Sequence, residues 1–128
     1  KLDGFTARRR AIAEAYREAL NDVRPALIGP ESLDDSVWHH FVVRAADRPA
    51  LQASLAASGV TTDVHYPYSI DRIVPLEGLA REVGSTAVAR RLGAEVVSLP
   101  MGPWMSDSQV EHVASALRSL PRDLLSHR

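Results

Sequence analysis

Residues 37–44, with the sequence VWHHFVVR, decide the fold class of this chain. They combine aromatic and β-branched side chains and include neither glycine nor proline, a pattern typical of a β-strand. Alternation would place the odd-numbered side chains on one face of the strand and the even-numbered ones on the other. Because both faces are then largely apolar, we expect a central strand of a sheet. On this pattern His39 is expected to be a hydrogen-bonded core residue. His40 would point to the opposite face, so the two histidines could not share a metal ion.

Helical patterns flank this strand on both sides. In residues 5–23 an apolar stripe at helical spacing predicts an amphipathic helix. The stripe consists of Phe5, Ile12, Tyr16, Leu20 and Val23. After the strand, Asp47 is a candidate N-cap for a helix over residues 48–58, which Gly59 ends. A short strand over residues 60–66 follows, so this part of the chain predicts a β-α-β unit.

The second half of the chain predicts one more strand between helices. Helical patterns cover residues 76–83 and 86–95, and the β-branched run at 96–99 predicts a strand. Ser106 and Gln109 have the spacing of a capping box at the start of a last helix, whose apolar stripe stops before Pro121. The fold class is therefore α/β (α+β), with a small sheet of about three strands and helices packed on it.

These elements divide the chain into three parts. Residues 1–24 form a helix leading into the domain, residues 25–120 a small α/β domain, and residues 121–128 a frayed tail. A hydrophobic share of 45% is enough to build a core in a chain of this length. The expected core residues are the inward positions of the strands and helices, namely Trp38 or Phe41, Val42, Leu51, Leu55, Val97, Val113 and Leu117.

Composition excludes several classes of protein. The chain has 128 residues, no cysteine and a formal net charge of −1, so disulfides and thiolate metal sites are excluded and a nucleic-acid partner is not expected. No apolar run approaches the roughly 20 residues of a membrane span, which favours a cytoplasmic protein without a membrane partner. The chain begins at Lys1 without an initiator methionine, and the helical pattern starts almost at once. We therefore expect a piece of a longer polypeptide.

Most catalytic motifs are absent from the sequence. It contains no G-x-G-x-x-G, no P-loop, no G-x-S-x-G and no H-E-x-x-H motif, and no metal site is expected. The run Arg8-Arg9-Arg10 could mark a phosphate or nucleic-acid patch. We favour a solvated helix face whose charge is balanced by Glu14 and Glu18, because no aromatic residues are interleaved with the arginines.

The sequence Val64-His65-Tyr66-Pro67-Tyr68 is the candidate binding segment. His65 and Tyr66 leave the end of a predicted strand and enter a loop, a place where binding residues are often mounted on a rigid scaffold. Their side chains can hydrogen-bond hydroxyl or phosphate oxygens, and Arg72 could pair with a phosphate. The alternative is a structural turn with its tyrosine rings packed flat. No catalytic residue is assigned.

Four motifs in order give the chain a resemblance to a known family. They are residues 37–44, residues 59–67 with the sequence GVTTDVHYP, residues 98–101 (SLPM) and residues 106–110 (SDSQV), and the opening helix with its arginine run agrees as well. Together they resemble the C-terminal part of the DegT/DnrJ/EryC1/StrS family of pyridoxal-phosphate-dependent sugar aminotransferases. The resemblance covers nearly the whole chain and implies the small domain of a fold-type-I aminotransferase.

The resemblance also implies an activity. Such an enzyme transfers an amino group, usually from glutamate, to a nucleotide-linked keto sugar, and works as a homodimer with active sites at the subunit interface. His65 and Tyr66 match the family's substrate-side element, and Arg72 is the third expected substrate contact. The cofactor's Schiff-base lysine belongs to a large domain, and Lys1 cannot be that residue. The fragment alone is therefore not expected to hold pyridoxal phosphate or to be catalytically competent.

Two alternatives stay open. The first is a stand-alone α+β binding or dimerisation module with the same architecture. The second is a catalytically inactive regulatory homologue. It is suggested by residues 68–75, because the proline and the histidine that commonly follow directly after the His-Tyr-Pro element in the family are missing at the start of this stretch.

Overall fold

A three-stranded antiparallel sheet is the centre of the computed structural model, which describes residues 1–73, 79 and 83–125. The strands are joined by four α-helices in this part of the chain, interspersed with short 3-10 turns. In chain order the elements are α1 (Leu2–Ala19), β1 (Leu27–Ile28), β2 (Phe41–Arg44), α2 (Arg48–Ala57), α3 (Ala87–Glu95), β3 (Val96–Leu99) and α4 (Asp107–Arg118). The α+β class and the three-stranded sheet predicted from the sequence are confirmed.

The register of the sheet places β2 in the middle. Val43 lies opposite Leu27 of β1 on one side and opposite Val97 of β3 on the other. The prediction of a central strand is therefore confirmed for Phe41–Arg44, and so is the strand at 96–99. Pro25, Gly29 and Pro30 break the helical pattern of the sequence after α1 and predict a loop there. The two-residue strand β1 lies in this segment and was not predicted, because a pair of residues is too short to show any periodicity.

The first half of the predicted central strand is not a strand. Trp38 has a φ of 49°. Its backbone N–H donates to Ser36 Oγ at 3.0 Å, and its indole Nε1 donates to the Leu33 carbonyl at 2.9 Å. These bonds bury the indole and interrupt the alternation of side chains. The predictions for the two histidines are consequently wrong: His39 is exposed instead of buried, and its ring lies 4.2 Å from that of His40 instead of on the opposite face.

The predicted strand at 60–66 is reduced to a single bridge. Asp63 exchanges two backbone hydrogen bonds with Ser98, at 3.1 and 2.8 Å, on the edge of β3 that β2 leaves free. The next N–H, that of Val64, donates to the Asp63 carboxylate at 2.7 Å, so it is not available for a ladder. The predicted β-α-β unit is therefore wrong, and β2 and β3 instead pair directly and antiparallel.

The core lies between α1, α4 and the sheet. Ile12, Tyr16 and Leu20 of the predicted stripe are fully buried, whereas Phe5 lies outside the core. The Tyr16 ring meets the Phe41 ring edge-on at 5.3 Å, and its hydroxyl donates to the Pro100 carbonyl at 2.9 Å. Tyr16 thus joins α1 both to the middle strand and to the turn that follows β3.

The predicted core is confirmed except at Val42. Residues of β2 alternate between buried and half-buried, and Val42 belongs to the half-buried set because it points away from the main core. The predicted capping box of α4 is also confirmed, since Ser106 Oγ accepts from the Gln109 N–H and the Gln109 side chain accepts from the Ser106 N–H. The other predicted core residues are buried, namely Trp38, Phe41, Leu51, Leu55, Val97, Val113 and Leu117.

The end of the described chain is held against the sheet. The Ala46 N–H donates to the Leu124 carbonyl at 2.8 Å, and the fully buried Leu125 forms a bridge with Ala45. Between Pro121 and Leu125 the chain therefore contributes a leucine to the core, and the frayed tail expected over residues 121–128 stays a prediction. The predicted division at residues 24 and 25 stays a prediction.

Two predicted helices in the second half have different outcomes. The helix at 86–95 is confirmed as α3, and its Val88 is exposed. The helical patch at 76–83 lies outside the described residues except for Leu79 and Val83. Within the described residues, no helix is both long and apolar enough to cross a membrane.

Candidate functional site

His65 is held in place at the edge of the sheet. It follows the Asp63–Ser98 bridge by two residues, and its Nδ1 is hydrogen-bonded to Ser98 Oγ at 3.0 Å. Its Nε2 lies 3.5 Å from Asp63 Oδ2. Because Ser98 is buried in β3, the imidazole is held by a residue of the sheet itself. A side chain fixed in this way is suited to orient a ligand.

Three histidines lie together at this edge. The ring of His40 stacks on that of His65 with centroids 4.0 Å apart, and His39 lies on the other side of His40. Burial lowers the pKa of His40 below its ordinary value of 6.5, and the neighbouring His65 and His39 lower it further, against a small opposing effect of Asp63. His40 is therefore neutral at pH 7, with one ring nitrogen that donates and one that accepts.

A cavity of about 310 Å³ opens beside the histidines. This volume is at the lower end of the range of ligand pockets in proteins. The cavity combines hydrogen-bonding groups from four parts of the chain with an indole that is 80% exposed. Its lining includes polar and aromatic side chains, among them Arg9, His40, Asp63, His65, Ser98 and Trp104.

The other two predicted substrate contacts are placed differently. The ring of Tyr66 packs edge-on against His65 at 5.7 Å, but its side chain is 74% exposed and does not line the cavity. Arg72 also does not line the cavity; it lies on the surface with its Nε 4.0 Å from a carboxylate oxygen of Asp71. The structure thus brings His65 and Tyr66 together and leaves Arg72 apart from the cavity. The roles of all three in binding stay predictions.

The two tyrosines of the candidate binding segment are not packed flat against the protein, as the alternative of a structural turn would require. Tyr66 and Tyr68 are both exposed, so their rings do not stabilise the loop by burial. The loop is instead fixed to α3 by an ion pair, in which Arg90 Nε lies 2.6 Å from Asp71 Oδ2. The alternative of flat-packed tyrosines is therefore wrong for these residues.

Sequence reasoning missed three residues of this cavity. His40 was assigned to a strand face away from His39, Ser98 was seen only as part of a strand, and Arg9 was seen as one of three solvated arginines. The positive φ of Trp38 turns His40 towards His65, and no residue type that favours this conformation stands at position 38. The sequence did contain one signal for this cluster. It was the adjacent pair His39-His40 together with His65 at the end of a later predicted strand.

The arginine run is not balanced by Glu14 and Glu18 as expected. Arg8 pairs with Asp107 at 2.7 Å and Arg10 with Asp34 at 3.2 Å, so their partners come from α4 and from the loop before β2. Arg9 faces the cavity. The correction follows from tertiary packing, which brings carboxylates from distant parts of the sequence to the helix.

Among the described residues, no lysine that could hold pyridoxal phosphate lines the cavity beside the histidines. That cofactor is held as a Schiff base by a lysine. The chain's single lysine, Lys1, is exposed at the start of α1 and is not among the cavity residues. In the described part of the chain there is also no group of three histidine or acidic side chains that could hold a metal ion. The cavity can therefore bind and orient a ligand, but it supplies no covalent anchor.

Known proteins match the chain along most of its length. A family model described as the DegT/DnrJ/EryC1/StrS aminotransferase family matches residues 1–118. The "Erythromycin biosynthesis sensory transduction protein EryC1" of Saccharopolyspora erythraea is 39% identical over 92% of this chain and 32% of its own length. The dTDP-3-amino-3,6-dideoxy-α-D-galactopyranose transaminase of Aneurinibacillus thermoaerophilus is 37% identical over 91% of this chain and 31% of its own. The chain thus spans about a third of the length of these relatives.

Solved structures match in the same way. DesV of S. venezuelae, in complex with a ketimine intermediate, superposes with a TM-score of 0.77 at 33% identity, over 91% of this chain and 32% of that one. NtdA of Bacillus subtilis, with bound cofactor PMP, gives a TM-score of 0.66 at 26% identity, over 88% of this chain and 27% of that one. The fold described above is therefore also found as one part of larger proteins.

Proposed function

The chain belongs to the DegT/DnrJ/EryC1/StrS aminotransferase family, and from this premise we propose that it is the C-terminal small domain of a nucleotide-sugar aminotransferase. The full protein would transfer an amino group from glutamate to a keto sugar linked to a nucleotide. The observation that carries the proposal is the match of the family model over residues 1–118, together with sugar-transaminase relatives of whose length the chain covers about a third. The family depends on pyridoxal phosphate, as the PMP-bound relative illustrates.

In this proposal His65 binds the sugar nucleotide. The support is its position: the imidazole lines the cavity and is held by Ser98 Oγ at 3.0 Å. Tyr66 presents an exposed phenol beside it, which can donate to or accept from a hydroxyl group of the sugar. Arg72, an exposed guanidinium further along the loop, is a contact for a phosphate of the substrate.

The cofactor and the remaining partners belong to the full-length protein. Pyridoxal phosphate when bound supplies the electron sink for transfer of the amino group. Its lysine would come from the large domain, so we expect the 128-residue chain alone neither to bind the cofactor tightly nor to transaminate. The proposal further includes a homodimer and a cytoplasmic location.

A regulatory function is the second candidate. The relative from Saccharopolyspora erythraea carries the name of a sensory transduction protein. A homologue that keeps the fold but has lost the large-domain lysine would bind a sugar nucleotide without reacting with it. A stand-alone binding or dimerisation module remains the third candidate.

One spectroscopic experiment separates these candidates. The full-length protein is purified with pyridoxal phosphate, and its visible absorbance is recorded before and after glutamate is added. The proposal predicts a shift of the cofactor band with glutamate and its return when the keto-sugar nucleotide follows, with D-glutamate as the control without effect. A protein that never acquires a cofactor band, or whose band does not respond to glutamate, would contradict the proposal and favour a regulatory or binding function.

A further inference from the structure

Arg9 differs from the two arginines beside it. Arg8 also donates to the Met105 carbonyl at 2.7 Å, and Arg10 to the Asp34 carbonyl at 2.9 Å, in addition to their ion pairs. Arg9 has no hydrogen-bond or ion-pair partner among residues 1–73, 79 and 83–125, and its Nε is buried. Of the three arginines, Arg9 is therefore both the one that lines the cavity and the one without a partner among the described residues.

An unpaired guanidinium in a partly buried position is unfavourable. It loses hydration without gaining hydrogen bonds, and a ligand that supplies the missing acceptors recovers that cost. The planar guanidinium presents several N–H donors in a fixed geometry that matches a phosphate or a carboxylate. The hydrogen-bond partner that would suit Arg9 is thus an oxyanion.

The other polar groups of the cavity agree with this assignment. His65, His40 and the Ser98 hydroxyl each offer hydrogen-bonding atoms on the same cavity as Arg9. One carboxylate also lines it, that of Asp63. Its side chain is 78% exposed, and its oxygens already accept from the Val64 N–H and lie near His65 Nε2. Asp63 therefore has partners of its own and does not neutralise Arg9 in the described structure.

We propose that Arg9 is a further substrate-binding residue, which holds the diphosphate of the nucleotide sugar in this cavity. The inference rests on the proposed function and adds to it the part of the substrate that is recognised here. The nucleotide is favoured over other oxyanions because the exposed indole of Trp104 lies on the same cavity. Nucleotide bases stack on exposed aromatic rings of this kind. The carboxylate of glutamate and the phosphate of the cofactor are the competing sources of an oxyanion.

Isothermal titration of the full-length protein tests this assignment. The probes are dTDP and UDP, and the variants are Arg9→Gln and Arg9→Lys. Arg10→Gln is the matched control, because it removes the neighbouring guanidinium, which pairs with Asp34 and does not line the cavity. We expect Arg9→Gln to weaken binding of the nucleoside diphosphate by about 10- to 100-fold, the loss typical of a charge-assisted contact. Arg9→Lys should lose less, and Arg10→Gln should bind like the wild type.

Other outcomes would overturn the inference. Unchanged nucleoside diphosphate affinity in Arg9→Gln, or a wild-type protein that binds neither probe, would do so. If Arg9→Gln instead impairs the spectral response to glutamate or the retention of pyridoxal phosphate, the oxyanion comes from the amino donor or the cofactor. If its only effect is a lower Tm, Arg9 pairs with another part of the protein. The proposed function fails separately, when the cofactor band of the wild-type protein does not respond to glutamate.

Discussion

The helix-and-sheet scaffold and the segment that carries His65 differ in how they treat their apolar side chains. Tyr16 of α1 and Leu117 of α4 are fully buried in the core. Tyr66 and Tyr68 of the segment, and Ile70 shortly after it, are exposed. The scaffold is stabilised by burial of its own residues, whereas the segment is attached to it through hydrogen bonds and ion pairs at its ends. Changes in the two regions should therefore affect different properties, stability in the first and ligand binding in the second.

Truncation of a core residue should give the largest effect on stability. Leu117→Ala removes a fully buried side chain of α4 from the core, and we expect a loss of about 2–5 kcal/mol in the free energy of unfolding. Tyr66→Ala is the control from the other region, since it removes a larger but exposed ring and should change stability by less than about 0.5 kcal/mol. Urea unfolding of the 128-residue chain measures both. Equal losses of unfolding free energy in the two variants would contradict the claim that only the scaffold is stabilised by burial.

Loss of the capping box should give a smaller effect within the scaffold. In Ser106→Ala the Gln109 N–H loses the hydroxyl that accepts its hydrogen bond, and we expect a loss of about 1 kcal/mol. Ser115→Ala is the matched control, because Ser115 is exposed in the middle of the same helix. The urea midpoints of the two variants give the comparison. A Ser106→Ala midpoint equal to that of the control would show that packing alone fixes the start of α4.

The smallest effect concerns the histidines where the two regions meet. We expect the pKa of His40, followed by NMR, to lie below 6.5 and to rise towards it in His65→Ala, because that change removes both a covering ring and a neighbouring charge. His39→Ala should raise it less. Since the pKa is lower in the folded state, the neutral imidazole contributes stability above pH 6.5, and this contribution is lost as the pH falls through 6.5 towards the native pKa. A His40 pKa that is the same in all three proteins would contradict the stacked geometry.

The sequence predicted the scaffold better than the site, for physical reasons. The stripe of α1 and the capping box of α4 are local patterns that repeat or have fixed spacing, so they can be recognised without knowledge of the fold. The exchange of hydrogen bonds between Asp63 and Ser98 joins residues 35 positions apart, and no local pattern encodes it. The predicted strand at 60–66 stops after this bridge, because the Val64 N–H donates to the Asp63 carboxylate.

The site was only partly predictable for the same reason. His65 was proposed from the sequence because it stands at the end of the predicted strand at 60–66 and belongs to a recognisable motif, and its role in binding stays a prediction. His40 was missed because the positive φ of Trp38 turns the chain, and the local hydrogen bonds of Trp38 to Leu33 and Ser36 belong to no pattern that the sequence shows. Arg9 was missed because its neighbours in the sequence are identical to it. Only the position of their distant partners, Asp107 and Asp34, distinguishes the three arginines.

The central claim is that the segment with His65 binds the sugar nucleotide and leaves the reaction with glutamate to the rest of the protein. Stopped-flow absorbance of the full-length enzyme measures the two half-reactions separately. We predict that His65→Ala and Tyr66→Phe each lower kcat/KM for the sugar nucleotide by about 10- to 100-fold, since a lost hydrogen bond to substrate costs about 1–3 kcal/mol. The half-reaction with glutamate should be nearly unchanged. Equal damage to both half-reactions, or no damage to either, would contradict the account.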